Sequence, residues 1–168
     1  PNSGLRECDV AAEVGALVVD YLEAAGCECR ILQSDNLAGE SEYSDRQGRT
    51  VCGDANDWEA DVFVSIHCNA ANCAARGTEV ECYDAGSGNG GAQLAQCIQS
   101  QIVDSLGTVD RGVKYMPKLL VLKYTDMPAV LVEMAFIDND NDAALLTEKT
   151  DEFARAIARG VTDYEQAL

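Results

Sequence analysis

The sequence predicts a three-layer α/β/α fold with a mixed, mostly parallel sheet of five to six strands, and three observations carry that expectation. Stretches with apolar residues every three or four positions alternate with short apolar runs, as helices alternate with strands in layered folds. Val62 to Cys68 and Ala129 to Phe136 are almost continuously apolar, the pattern of central strands covered on both faces. The chain has 168 residues, which suits one domain (1–168) able to bury roughly 70% of the surface its unfolded form exposes.

Val10, Val14, Leu17, Val18, Tyr21 and Leu22 repeat at helical spacing up to Gly26, a left-handed stop, so a helix is expected over about Glu7 to Ala25. Cys27 to Leu32 alternates as a strand does. Leu37 to Gly53 is polar and weakly periodic, a long connection with a helix from about Ser44 towards Trp58. After the strand at Val62, Thr78 to Tyr83 forms another, its alternation of Glu79, Glu81 and Tyr83 with apolar neighbours suggesting a solvated face at a sheet edge. Asp84 to Gly91 holds four glycines and reads as a mobile loop. Leu94, Ile98, Ile102 and Leu106 mark a helix ending at Gly107. Leu119 to Leu122 and Ala129 to Phe136 read as two further central strands separated by Pro128, and Phe153, Ile157, Val161 and Tyr164 mark a closing helix.

The net charge of −17, from 29 acidic against 12 basic residues, repels phosphate backbones and anionic membranes, so nucleic acid is not an expected partner. No apolar run approaches the ~20 residues of a membrane span. The eight cysteines (8, 27, 29, 52, 68, 73, 82 and 97) include no Cys-x-x-Cys pair, and most read as small buried hydrophobes. By proximity, Cys68 to Cys73 is the most plausible bridge. The chain opens at Pro1 with neither a signal peptide nor a methionine, so Pro1 is not expected to be the start of translation.

Three side chains stand out chemically. His67, the one histidine, sits at the end of a strand, where an imidazole serves either as metal ligand or acid/base group or as a buried, satisfied core residue. Glu133 lies within the apolar run Val130 to Phe136, and a carboxylate there has to be paired, metal-bound or held protonated, because burying it unpaired costs several kcal/mol. A salt bridge from Glu133 to Arg111 or Lys114 is the plain structural alternative. Glu7 stands in the first turn of a helix, a place acids often take for dipole reasons alone.

Five stretches in order, Pro1 to Glu7, Val62 to Ala70, Gly77 to Val80, Asp110 to Lys114 and Leu120 to Asn139, together resemble the zinc-dependent N-acetylmuramoyl-L-alanine amidases of bacterial cell walls. The resemblance covers nearly the whole chain. It implies zinc held by two histidines and a glutamate, and maps the glutamate ligand onto Glu7, the second histidine onto His67 and the catalytic carboxylate onto Glu133. The first family histidine lies in a Gly-His-Gly turn after an amino-terminal strand, and this sequence contains neither, so that ligand is expected upstream of Pro1. Met134-Ala135, where the family more usually has glycine before the phenylalanine, and a small insertion at Cys52-Gly-Asp are the other departures.

What the resemblance implies is hydrolysis of the amide between the lactyl group of N-acetylmuramic acid and L-alanine of the peptidoglycan stem. Three protein ligands would leave zinc a position for water, with its pKa lowered to about 7. Asn69, Arg111 and Lys114 are the expected substrate contacts. With Glu7 and His67 alone the chain is expected to bind zinc weakly and to be inactive. The alternative is a peptidoglycan-binding or regulatory module that kept the fold and lost the metal. Location is expected to be extracytoplasmic, at the wall or secreted as an autolysin, with a phage lysin also compatible. Loss of a central strand would open a sheet edge, a risk for aggregation or swapping.

Overall fold

Val10, Val14 and Val18 recur every four residues and form the packed stripe of α1 (Glu7–Ala24), whose first turn carries Glu7 and Asp9 beside the positive end of the helix dipole. Gly26, at φ +97°, ends it, and the amides of Gly26 and Cys27 turn back to the carbonyls of Glu23 and Leu22. The computed structural model describes residues 4–34, 37, 50–83 and 90–168. In chain order the further elements are α2 (Val51–Asp57), β1 (Phe63–Asn69), β2 (Thr78–Cys82), α3 (Gly91–Leu106), β3 (Asp110–Tyr115), α4 (Leu120–Lys123), β4 (Ala129–Phe136), α5 (Asp140–Glu148) and α6 (Thr150–Gln166).

The strands form one mixed sheet in the order β1-β4-β2-β3, with β1 parallel to β4, β4 antiparallel to β2, and β2 parallel to β3. Alternate residues of each strand serve two layers. Val80, Cys82, Val130 and Val132 join Val14, Ile98, Ile102, Phe153 and Ile157 in the larger core beneath α1, α3 and α6. On the opposite face Leu131 packs with Cys52, Val121 and Leu122 under α2 and α4. Register places Ser65, His67, Glu79, Glu81 and Glu133 on this second face, because side-chain direction alternates along a strand.

Helices α3 and α6 touch at Gly160, where a Cβ would lie 2.5 Å from Ile98 Cα and 2.7 Å from its Cγ1. Gly160→Ala is therefore expected to cost about 1–3 kcal/mol, because backbone has to shift to admit the methyl. Urea unfolding checks it; a loss below about 0.5 kcal/mol would mean that the helices separate freely.

Several expectations need correction. The described residues contain four strands rather than five to six. Cys27 to Leu32 is not a strand: its Arg30, Ile31 and Leu32 line, together with Val64 and Ile66 of β1, a groove of about 1010 Å³. No described strand lies between them to pair with, and Ile31 stays 53% exposed. Leu119 to Leu122 forms the single turn α4 instead of a strand, because β4 already has a neighbour on each side and the run covers the sheet face.

The strand over Thr78 to Cys82 is not at an edge; it lies between β4 and β3 and is buried along its whole length. The true edge, β3, is half-exposed and charged, so its apolar signal is faint. Helix α5, capped by the Asn139 side chain accepting from the amides of Asn141 and Asp142, begins within the acidic, polar run Asp138 to Asp142. The expected Cys68–Cys73 bridge is not formed: the first thiol is packed in the larger core and the second is exposed at φ +63°. The helix expected from Ser44 is described over Val51–Asp57; residues 44–49, residues 84–89 of the expected mobile loop and Pro1 to Ser3 lie outside the described residues. Among the described residues no helix is long and apolar enough to cross a membrane.

Candidate active site at the carboxyl ends of two parallel strands

Parallel strands β1 and β4 deliver His67 and Glu133 as direct register partners, so both side chains leave the same face of the sheet at the same height. Glu7, the first residue of α1, reaches this point from above. Its Oε1 lies 2.8 Å from His67 Nδ1 and also accepts from the Cys68 amide at 3.3 Å. The other ring nitrogen, Nε2, is 2.9 Å from Ser65 Oγ, which orients the imidazole from two residues back on the same strand face. The helix-opening carboxylate, the imidazole and the acid of the last strand are thus neighbours.

Glu133 is not ion-paired with Arg111 or Lys114. Arg111 Nε donates instead to Glu79 Oε2 at 2.8 Å, and Lys114 Nζ donates to the carbonyl of Arg111. Glu133 Oε2 is buried and has no hydrogen-bond partner among the described residues. Burial, then the nearby carboxylates Glu81, Glu7 and Glu79, push its pKa up to about 8. Glu81 is raised as well, by burial first and then by Glu79, with His67 pulling the other way. A cluster of carboxylates this poor in positive charge suits a site that receives a cation or holds a proton.

Asn69 lies at the bulged end of β1, and its Nδ2 donates to Glu79 Oε1 at 2.8 Å. Glu79 therefore joins Asn69 and Arg111 beside Glu133, its own register partner. Lys114 is turned into its own strand rather than towards the centre. Glu79, Glu81 and Ser65 were not singled out from the sequence. The glutamates alternate in a short strand, a pattern that solvent explains equally well; Ser65, at i−2 from His67, was legible from spacing alone.

The fit to a metal can be judged from the donors. Glu7 and His67 are of the right type for zinc and converge on one point, and an orphaned carboxylate oxygen is buried beside them. The set is one protein donor short: among the described residues no group of three His, Cys, Asp or Glu side chains is placed to hold a metal ion.

An acid-rich centre at the carboxyl ends of β1 and β4 puts the chain in the class of α/β domains that bind ligands at that sheet edge. The profile of the Amidase_3 family, N-acetylmuramoyl-L-alanine amidase, matches residues 2–163, and the chain belongs to that family. It is 34% identical over 166 residues to the N-acetylmuramoyl-L-alanine amidase LytC of Bacillus subtilis, across 97% of this chain and 32% of that protein. It is 37% identical over 165 residues to the uncharacterized protein YqiI of the same organism, across 97% of this chain and 76% of the other. Among solved structures it superimposes on the N-acetylmuramoyl-L-alanine amidase AmiC2 of Nostoc punctiforme with TM-score 0.80 and 31% identity, covering 97% of this chain and 86% of that one. The catalytic domain of CwlV from Paenibacillus polymyxa aligns with TM-score 0.80 and 26% identity, covering 97% and 87%.

Proposed function

We propose that this protein hydrolyses the amide between the lactyl group of N-acetylmuramic acid and L-alanine in peptidoglycan stem peptides, with Glu133 moving the proton. The observation that carries the reading is the buried, unpartnered Oε2 of Glu133 beside the His67–Glu7 pair. Family membership and the likeness to LytC and AmiC2 support it.

Glu7 and His67 would hold two positions of a zinc ion, with a third donor expected to be a histidine that this sequence, whose one histidine is His67, does not contain. Zinc, when bound, supplies polarisation of the scissile carbonyl and acidification of water. Glu133 accepts the proton of the attacking water and returns it to the departing L-alanine nitrogen. Ser65 fixes the imidazole ring so that Nδ1 points to Glu7. Asn69 and Arg111 stand at the rim as contacts for stem-peptide carbonyls or carboxylates; Lys114 supports Arg111 through its carbonyl. The site of action would be extracytoplasmic, at the wall.

The test, made on the protein with its third zinc donor present, is release of free stem peptides from purified sacculi, followed as new L-alanine amino termini. Their appearance with zinc, and loss with chelator, is the expected outcome; sacculi left intact by zinc-loaded protein would refute the proposal. One observation favours a second reading, a wall-binding or regulatory module of the same fold: two donors do not make a catalytic zinc set. For the 168-residue chain, isothermal titration is accordingly expected to give zinc affinity no tighter than micromolar. A nanomolar site on this chain would contradict the two-donor description.

A further inference from the structure

We infer that Glu79 is a positioning residue that holds Arg111 as a fork for a carboxylate of the substrate, so that the site distinguishes stem peptides by the charge of the group next to the scissile amide. The inference rests on the hydrolase reading for its substrate, and on geometry for its residues.

Glu79 is 8% exposed and sits on the central strand β2. A glutamate so placed has to satisfy both oxygens inside the protein. One accepts from Asn69 Nδ2 and the other from Arg111 Nε, each at 2.8 Å. Arg111 is held from two further directions. Its guanidinium carbon lies 4.9 Å from the centre of the Phe136 ring, and its backbone carbonyl takes the Lys114 ammonium. These contacts use Nε and one face of the guanidinium, and the two terminal nitrogens make no hydrogen bond with the described residues.

A planar fork with that edge open and its roll fixed matches a carboxylate through two parallel hydrogen bonds. The surroundings sharpen the choice of ligand. Glu7, Glu81 and Glu133 crowd the same sheet face, so an anionic group is repelled there unless it meets Arg111. A neutral carboxamide at that position gains less from the guanidinium. Glu79 thus places the one favourable landing point for charge without touching the substrate.

Two synthetic muropeptides test this, identical except that the carboxyl of the second stem residue is free in one and amidated in the other. Equilibrium binding is measured with Glu133→Gln, which leaves the peptide uncleaved, and with the same protein carrying Glu79→Gln or Arg111→Lys in addition. The expected result is a preference of about tenfold or more for the free carboxylate, and a fall of that preference to within about twofold in both double variants. In the cleaving protein the same changes raise KM for the carboxylate peptide more than they alter kcat.

Equal weakening of both peptides by Glu79→Gln would show a merely structural role and overturn the inference. So would an unchanged preference. Arg111→Lys keeps the charge and removes the fork, so it decides the matter should Glu79→Gln fail to fold. Failure of the hydrolase reading has a different signature: no cleavage of either peptide by the zinc-loaded protein, with the binding preference intact.

Discussion

Glu133→Gln is expected to lower the rate of stem-peptide release by about 10²–10⁴-fold while zinc content stays unchanged. Glutamine keeps the shape of the side chain and the burial of its end group, but it neither accepts a proton from water nor delivers one to the departing nitrogen. Its neighbours Glu7 and His67 are untouched, because the partner they make is each other and not Glu133. Metal analysis beside sacculus digestion therefore separates the two roles. Equal loss of metal and activity would reassign Glu133 as a ligand, and a loss smaller than about fivefold would remove it from the proton path.

The same substitution is expected to stabilise the metal-free protein at alkaline pH. Glu133 has its pKa raised from 4.5 to about 8, by burial and by Glu81, Glu7 and Glu79. In the unfolded chain the group ionises around pH 4.5, whereas in the folded one it keeps its proton until about pH 8. Stability is therefore full below about pH 4.5, falls as pH rises between these values, and levels off above about 8. The gap sets an upper limit on the order of 5 kcal/mol on what the wild-type loses. Glu81, also raised, loses stability in the same direction. Urea melts with chelator present should show Glu133→Gln gaining a few kcal/mol over wild-type at pH 8.5 and little at pH 4.5. A variant that is less stable at both would mean that the carboxylate is structurally satisfied in a way its orphaned oxygen does not suggest.

These opposite effects at one residue are the usual cost of a functional site, in which a buried charge is tolerated because activity needs it. They also explain why this part of the site was legible early. A glutamate inside the run Val130 to Phe136 breaks the pattern that surrounds it, and burial makes such a break expensive. The helices with clean four-residue stripes, α1, α3 and α6, were readable for the converse reason: nothing in them interrupts the apolar repeat.

What stayed hidden depended on partners that a sequence does not name. Leu119 to Leu122 and Cys27 to Leu32 have strand-like composition, yet a strand exists only where another strand with an unpaired edge lies within reach of it. Glu79 and Glu81 looked like the wet side of an edge strand because alternation reports polarity, not whether the polar side faces water or a cluster of carboxylates. Strand β3 escaped because Gly112 and its charges dilute an already half-exposed pattern.

Mass spectrometry of the products from purified sacculi is the most direct measurement of the central claim, that Glu7, His67 and Glu133 form one hydrolytic centre acting on the lactyl amide. The zinc-loaded protein should yield stem peptides with free L-alanine amino termini and glycan strands with unsubstituted lactyl carboxylates, and His67→Ala should yield neither. Cleavage at any other bond, or undiminished release of the same products by His67→Ala, would contradict the account.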